Sequence, residues 1–139
     1  MHLTMNLSLP RQPSTVTRAR QILTTLLSLT DADEEVRGHL ALLISEACAN
    51  AVTHSETGST IDVTIIVADD TCLLEVGNRG TAPDGAGLSA RLPDPLTVGG
   101  RGLPFIAALA DSATFVTGQS GQVVLHIRKS LAATPGPRT

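Results

Sequence analysis

Two neighbouring stretches of this chain each carry apolar residues at every second position. Ile61, Val63, Ile65 and Val67 form the first set, and Cys72, Leu74 and Val76 form the second, with Asp69-Asp70 as the turn between them. A period of two reads as a half-buried strand, and so short a connection makes the two strands antiparallel. A sheet with one apolar face must be covered by another layer on that side.

The covering layer is legible upstream. Leu3, Met5, Leu7 and Leu9 alternate loosely as a first strand over 2–9, which Pro10 and Pro13 interrupt. Val16, Ala19, Leu23, Leu26 and Leu27 then follow helical spacing, with Ser14 placed to cap that helix. Thr30-Asp31 offers a second cap, and Asp33 and Glu34 fall in a first turn, where the helix dipole favours acids. That second helix is expected to run to about His54 with a core stripe of Val36, Leu40, Leu43, Ile44, Ala47 and Ala51. Residues 77–100 are rich in Gly, Pro and Asp, with a weak helical hint at Leu88–Leu92. A loop of that length usually serves as a functional lid or is disordered. A short helix is expected from Leu103 to about Ala110. A hairpin of 113–117 and 123–129 then turns across Gly118–Gly121. The pattern predicts an α+β two-layer sandwich: a mixed, mostly antiparallel sheet packed on one side by about three helices. One domain is expected over 1–131, with a disordered tail over 132–139.

Composition narrows the function. Of 139 residues only two are Phe, with no Trp or Tyr, so the core is aliphatic and aromatic stacking on nucleic-acid bases is not available. A net charge of −3 with scattered Lys and Arg argues against a direct nucleic-acid partner. No apolar run reaches the length of a membrane span and no secretion signal opens the chain, so a cytoplasmic location is expected. Cys48 and Cys72 lack CxxC spacing and sit in apolar contexts, as free buried thiols do.

The chemistry-bearing segment is Glu46-Ala47-Cys48-Ala49-Asn50-Ala51-Val52-Thr53-His54-Ser55. Steps of four residues bring Glu46 and Asn50 to one helix face, at the flank of the core stripe, while His54 falls closer to the stripe's middle. Magnesium takes hard oxygen ligands and keeps several waters, so one amide oxygen plus nucleotide phosphates can hold it. A carboxylate one turn away can accept a proton from an attacking hydroxyl. The competing reading makes both residues solvated surface positions, and makes His54 a packed helix-end residue rather than a ligand contact. Downstream, Gly99-Gly100-Arg101-Gly102-Leu103 leads into the short helix. Glycines there let a phosphate approach the backbone, the helix N-terminus supplies free N–H groups, and Arg101 adds charge. The alternative is a hinge with an exposed arginine. Gly77-Asn78-Arg79-Gly80 ends a strand at the mouth of the sheet, where a polar side chain either meets a purine edge or belongs to an ordinary turn.

Taken in order, these motifs resemble the ATP-binding domain shared by gyrase, histidine kinases and anti-sigma-factor kinases, the GHKL or Bergerat fold. The resemblance is closest to the small anti-sigma regulatory factor class of serine/threonine-protein kinases, in its actinobacterial form. It covers about residues 5–130. It rests on the pattern E-xxx-N-A-xx-H-S (Glu46, Asn50, Ala51, His54, Ser55) and on GGRGL followed by a helix ending Leu109-Ala110-Asp111. The resemblance implies ATP and Mg²⁺ as ligands. Glu46 is then the general base, Asn50 the magnesium ligand, and Gly80, Gly100 and Gly102 the glycines of the nucleotide site, with residues 81–98 as the lid. It further implies a sigma factor and a STAS-domain anti-anti-sigma protein as partners, and a homodimer.

Two departures from that family pattern fall at the adenine end. Asn78 stands where the family usually has Asp, and Gln122 follows Gly121 where the family often has Thr. A neutral acceptor is about half as strong as a charged one, so weaker or altered adenine binding is expected. Two functions follow: a kinase acting on the STAS partner, or a weakly active or inactive module that keeps the partner-binding surfaces. A detached histidine-kinase catalytic domain is the third and least expected reading, since no dimerisation helix with a phosphoacceptor His is evident.

Overall fold

The computed structural model describes residues 2–80, 102–117 and 121–132. The elements are β1 (His2–Pro10), α1 (Ser14–Leu27), α2 (Glu34–His54), β2 (Thr60–Ala68), β3 (Thr71–Arg79), α3 (Gly102–Leu109), β4 (Ser112–Thr117) and β5 (Gln122–Ser130). They form one five-stranded sheet in the order β1-β2-β3-β5-β4, and every described pairing is antiparallel. The expected lid over 81–98, its helical hint at Leu88–Leu92, the turn residues 118–120 and the tail beyond Ala132 lie outside the described residues.

The sheet is amphipathic in the way the alternation demands. Leu9, Leu7, Met5 and Leu3 stand opposite Ile61, Val63, Ile65 and Val67 on one face. The same face continues through Val76, Leu74 and Cys72 into Leu125, Ile127 and Lys129. On it lies α2, packed against β2, β3 and β5, with α1 on one flank and α3 on the other. The predicted stripe of α2 is buried in full, together with Cys48. In α1, Ala19, Leu23 and Leu27 are buried while Val16 and Leu26 are half-buried. Burying each large aliphatic side chain contributes roughly 1.5–3 kcal/mol, and this layer supplies the driving force that two Phe residues cannot. The β2–β3 hairpin turns tightly on Asp69-Asp70. Asp69 takes φ 54°, which an Asp tolerates better than most residues.

The start of α2 differs from expectation. Its N-cap is Asp33, and the helix begins at Glu34. Thr30 is engaged elsewhere: its hydroxyl donates to the Leu27 carbonyl (2.7 Å) and accepts the Ala32 N–H (3.1 Å), closing the end of α1. Ser14 likewise is the first residue of α1, with Pro13 at the cap position and no capping side chain.

Two junctions fix the layers. At the first, the end of α2 is stitched to the end of β3. The Glu56 N–H donates to the Arg79 carbonyl (2.7 Å), and Ser55 and Gly80 form an antiparallel bridge. A Cβ on Gly80 would overlap the carbonyl oxygen of His54, so only glycine lets the two backbones come this close. At the second, Asp111 fastens the end of α3 to β5. Its N–H donates to the Arg128 carbonyl (2.8 Å) and its carboxylate accepts the Ser130 N–H (2.6 Å). Lys129 Nζ lies 3.9 Å from that carboxylate and donates to the Leu109 carbonyl (2.7 Å) at the C-terminus of α3.

Gly80→Ala is expected to destabilise the protein by about 1–3 kcal/mol, because the methyl meets backbone rather than a movable side chain. Urea unfolding that shows a change below about 0.5 kcal/mol would remove the close approach as a constraint. A second expectation concerns alkaline pH. Burial pushes the thiols of Cys48 and Cys72 up to about 12. Unfolded thiols ionise near 9 while the folded ones stay protonated, so this stability is complete below about pH 9 and is lost as pH rises towards 12. The chain has no Tyr and Lys129 is its single lysine, so few other groups titrate in that window. Each thiol should cost on the order of 2 kcal/mol by about pH 10.5. A Cys48→Ala/Cys72→Ala variant with an equally steep alkaline decline would refute the assignment.

Candidate functional site

The stitched junction brings together the last two turns of α2 and the last residues of β3. Glu46 and Asn50 both sit half-buried at the border of the α2 core stripe, as the helical wheel anticipates. They flank the buried Ala47, Cys48 and Ala51, so these two residues lie at the edge of the apolar layer. Asn50 lies one turn before His54, whose carbonyl covers Gly80.

His54 is not where the wheel places it. Its side chain is exposed rather than turned coreward. The wheel assumes that a side-chain-bearing layer continues under the final turn. Beneath this turn is Gly80, and the contact there is made by the His54 backbone carbonyl.

Asn78 alternates with Cys72, Leu74 and Val76 and so projects to the helix side of the sheet, only 7% exposed. Its Nδ2 is buried and has no hydrogen-bond partner. A Cβ on Gly80 would lie 3.1 Å from this Nδ2 and would overlap the His54 carbonyl, so the close approach of the two backbones walls in the amide on this side. An orphaned buried amide costs roughly 1–3 kcal/mol, which natural folds seldom retain without a use.

Gln122 requires a correction. In register it stands opposite Arg79, while the residue opposite Asn78 is Val123. Gln122 therefore occupies the open face of the sheet, where its amide covers Gly77. It lines a surface cleft there with Thr60, Asp62 and Arg79. A strand's neighbouring residues point to opposite faces, so a one-residue difference in alignment decides which group meets Asn78. That group is the 4% exposed, apolar Val123, and it can satisfy neither end of the amide.

Of the glycine-rich segment, Gly102 and Leu103 open α3, which packs beside α2. Gly99, Gly100 and Arg101 lie outside the described residues. Sequence reasoning did not find the inward Val123, although counting back from Leu125 and Ile127 gives its parity. It also did not find the hydrogen bond from Arg11 Nε to the Ser55 hydroxyl (2.9 Å), which no local pattern announces across 44 residues.

Among the described residues, no helix is long and apolar enough to cross a membrane. No curated protein is significantly similar in sequence. The fold is shared with solved structures. The RsbU and RsbW domains of Rv1364c from Mycobacterium tuberculosis superpose with a TM-score of 0.71 at 21% identity, over 93% of this chain and 32% of that one. This chain thus spans about a third of that neighbour's length. The SiaB–SiaC complex from Pseudomonas aeruginosa gives 0.64 at 17% identity, covering 90% of this chain and 88% of the other. The catalytic domain of the histidine kinase ThkA gives 0.56 at 12%, covering 94% and 97%. The sequence itself matches the histidine kinase-like ATPase domain over residues 9–128, and with that the chain is a member of this family.

Proposed function

We propose that this protein is an ATP-dependent anti-sigma regulatory factor, a serine/threonine-protein kinase that phosphorylates a STAS-domain anti-anti-sigma partner and controls a sigma factor. The observation that carries the reading is the juncture at Gly80. It joins a helix bearing a half-buried carboxylate and amide, Glu46 and Asn50, to a strand end bearing the buried, unpartnered Asn78. The orphaned amide is a hydrogen-bonding group that a purine edge could satisfy, and the family to which the chain belongs is an ATPase domain. Likeness to an RsbW-containing protein and to SiaB in complex with SiaC supports the anti-sigma class over other uses of the fold.

In this reading Asn50 Oδ1 is the protein's ligand for Mg²⁺, which would neutralise charge on the phosphates when bound. Glu46 accepts the proton of the partner's serine hydroxyl as its oxygen attacks the γ-phosphorus. The bond to the bridging oxygen breaks and ADP departs. Gly102 and Leu103 open a helix whose N-terminal amides face the phosphates, assisted by Gly99, Gly100 and Arg101, and residues 81–98 close as a lid. The protein works in the cytoplasm as a homodimer.

One observation favours a second reading, a partner-binding module without turnover. The residue facing Asn78 is Val123, which offers no polar help to an adenine ring. The two readings separate experimentally. With γ-labelled ATP, magnesium and a purified STAS-domain partner, label is expected on the partner. Glu46→Gln should lower transfer at least a hundredfold while leaving nucleotide affinity within about threefold. Retained transfer in that variant would take the proton from some other group. A separate thermal-shift measurement should show stabilisation by millimolar ATP that magnesium increases, with the magnesium increment lost in Asn50→Ala. No shift with ATP at all would leave the module reading in place.

A further inference from the structure

The pairing of Asn78 with Val123 has a consequence for which purine the site takes. A carboxylate at the position of Asn78 would only accept hydrogen bonds, and so would select a purine that presents an amino group at its six-position. A carboxamide carries an acceptor and a donor, exchanged by half a turn about its terminal torsion. What normally settles the orientation of a buried amide is its hydrogen-bonding surroundings. Here Nδ2 has no partner, and the residue directly opposite is the apolar Val123. Nothing described in the protein fixes the orientation of the amide.

Resting on the nucleotide-binding reading above, we propose that Asn78 makes this site indifferent to the six-substituent of the base, so that 6-oxo purine nucleotides bind as well as 6-amino ones. Oδ1 accepts from the amino group of adenine. After rotation, Nδ2 donates to the carbonyl of hypoxanthine or guanine. The pattern is that of a side-chain amide that reads either partner of a donor–acceptor pair, and discrimination is lost because each orientation offers the six-substituent a complementary group while Val123 favours neither. The absent hydrogen bond to Nδ2 in the free protein is what keeps both orientations available.

The test uses ATP and ITP, which differ at the six-position and at no other heavy atom. Affinities are measured by calorimetry on the full chain with magnesium at about pH 8, where a carboxylate stays ionised. The wild type should bind the two within about threefold. Asn78→Asp should favour ATP at least tenfold, because its carboxylate cannot donate to a carbonyl. Asn78→Leu, which suits the apolar wall formed with Val123, should weaken both equally. A wild-type preference for ATP above tenfold overturns the proposal while leaving the nucleotide reading intact. Binding of neither nucleotide to the wild type withdraws both. The wild-type comparison decides the question even where Asn78→Asp does not fold.

Discussion

The organisation of this molecule depends on a backbone contact that a single methyl group would prevent. α2 runs the full length of the apolar face of the sheet and ends against β3, with the His54 carbonyl seated over Gly80. The Ser55–Gly80 bridge and the Glu56–Arg79 hydrogen bond then hold helix and strand in one relation. Asn50 and Asn78 belong to different layers of the sandwich, and this joint ties together the ends of the helix and the strand that carry them. Hydrophobic burial brings the layers together but is indifferent to sliding along the helix axis. The bridged backbone removes that freedom, and a site assembled across layers requires its removal.

The two halves of the candidate site are built on different physical terms. Glu46 and Asn50 stand at the edge of the core, where water and ligand can compete for them. Asn78 is enclosed, and its amide nitrogen is unsatisfied. A fold maintaining such a group forfeits stability that an apolar residue would recover, and sites shaped for a ligand commonly carry costs of that kind. The opposing Val123 removes the neighbour best placed to relieve it.

Much of this was legible from periodicity. The strands alternate as read, the α2 stripe is buried residue for residue, and Glu46 and Asn50 lie where a wheel places them. These features are local, and a period in the sequence maps directly onto a face. The errors arose where tertiary partners decide. Thr30 can cap a helix, but it is consumed by the end of the preceding one. His54 is exposed, with its carbonyl rather than its imidazole against Gly80. Gln122 was assigned to the nucleotide side because a motif aligned by its glycine is only as good as the register of the strand that follows, and pairing with β3 puts Val123 there instead. The burial of Asn78 was within reach, since it continues the parity of Leu74 and Val76, but the lack of a partner for its amide can be seen only when all its neighbours are in position.

The fastening of α3 at Asp111 bears on how that helix can respond to events at its other end. Asp111 and Lys129 tie its C-terminal carbonyl and the following backbone to β5, at the opposite end from Gly102. The C-terminal end of α3 is thereby bonded to the sheet backbone as well as packed beside α2, so any displacement at Gly102 has to leave that end in place against β5.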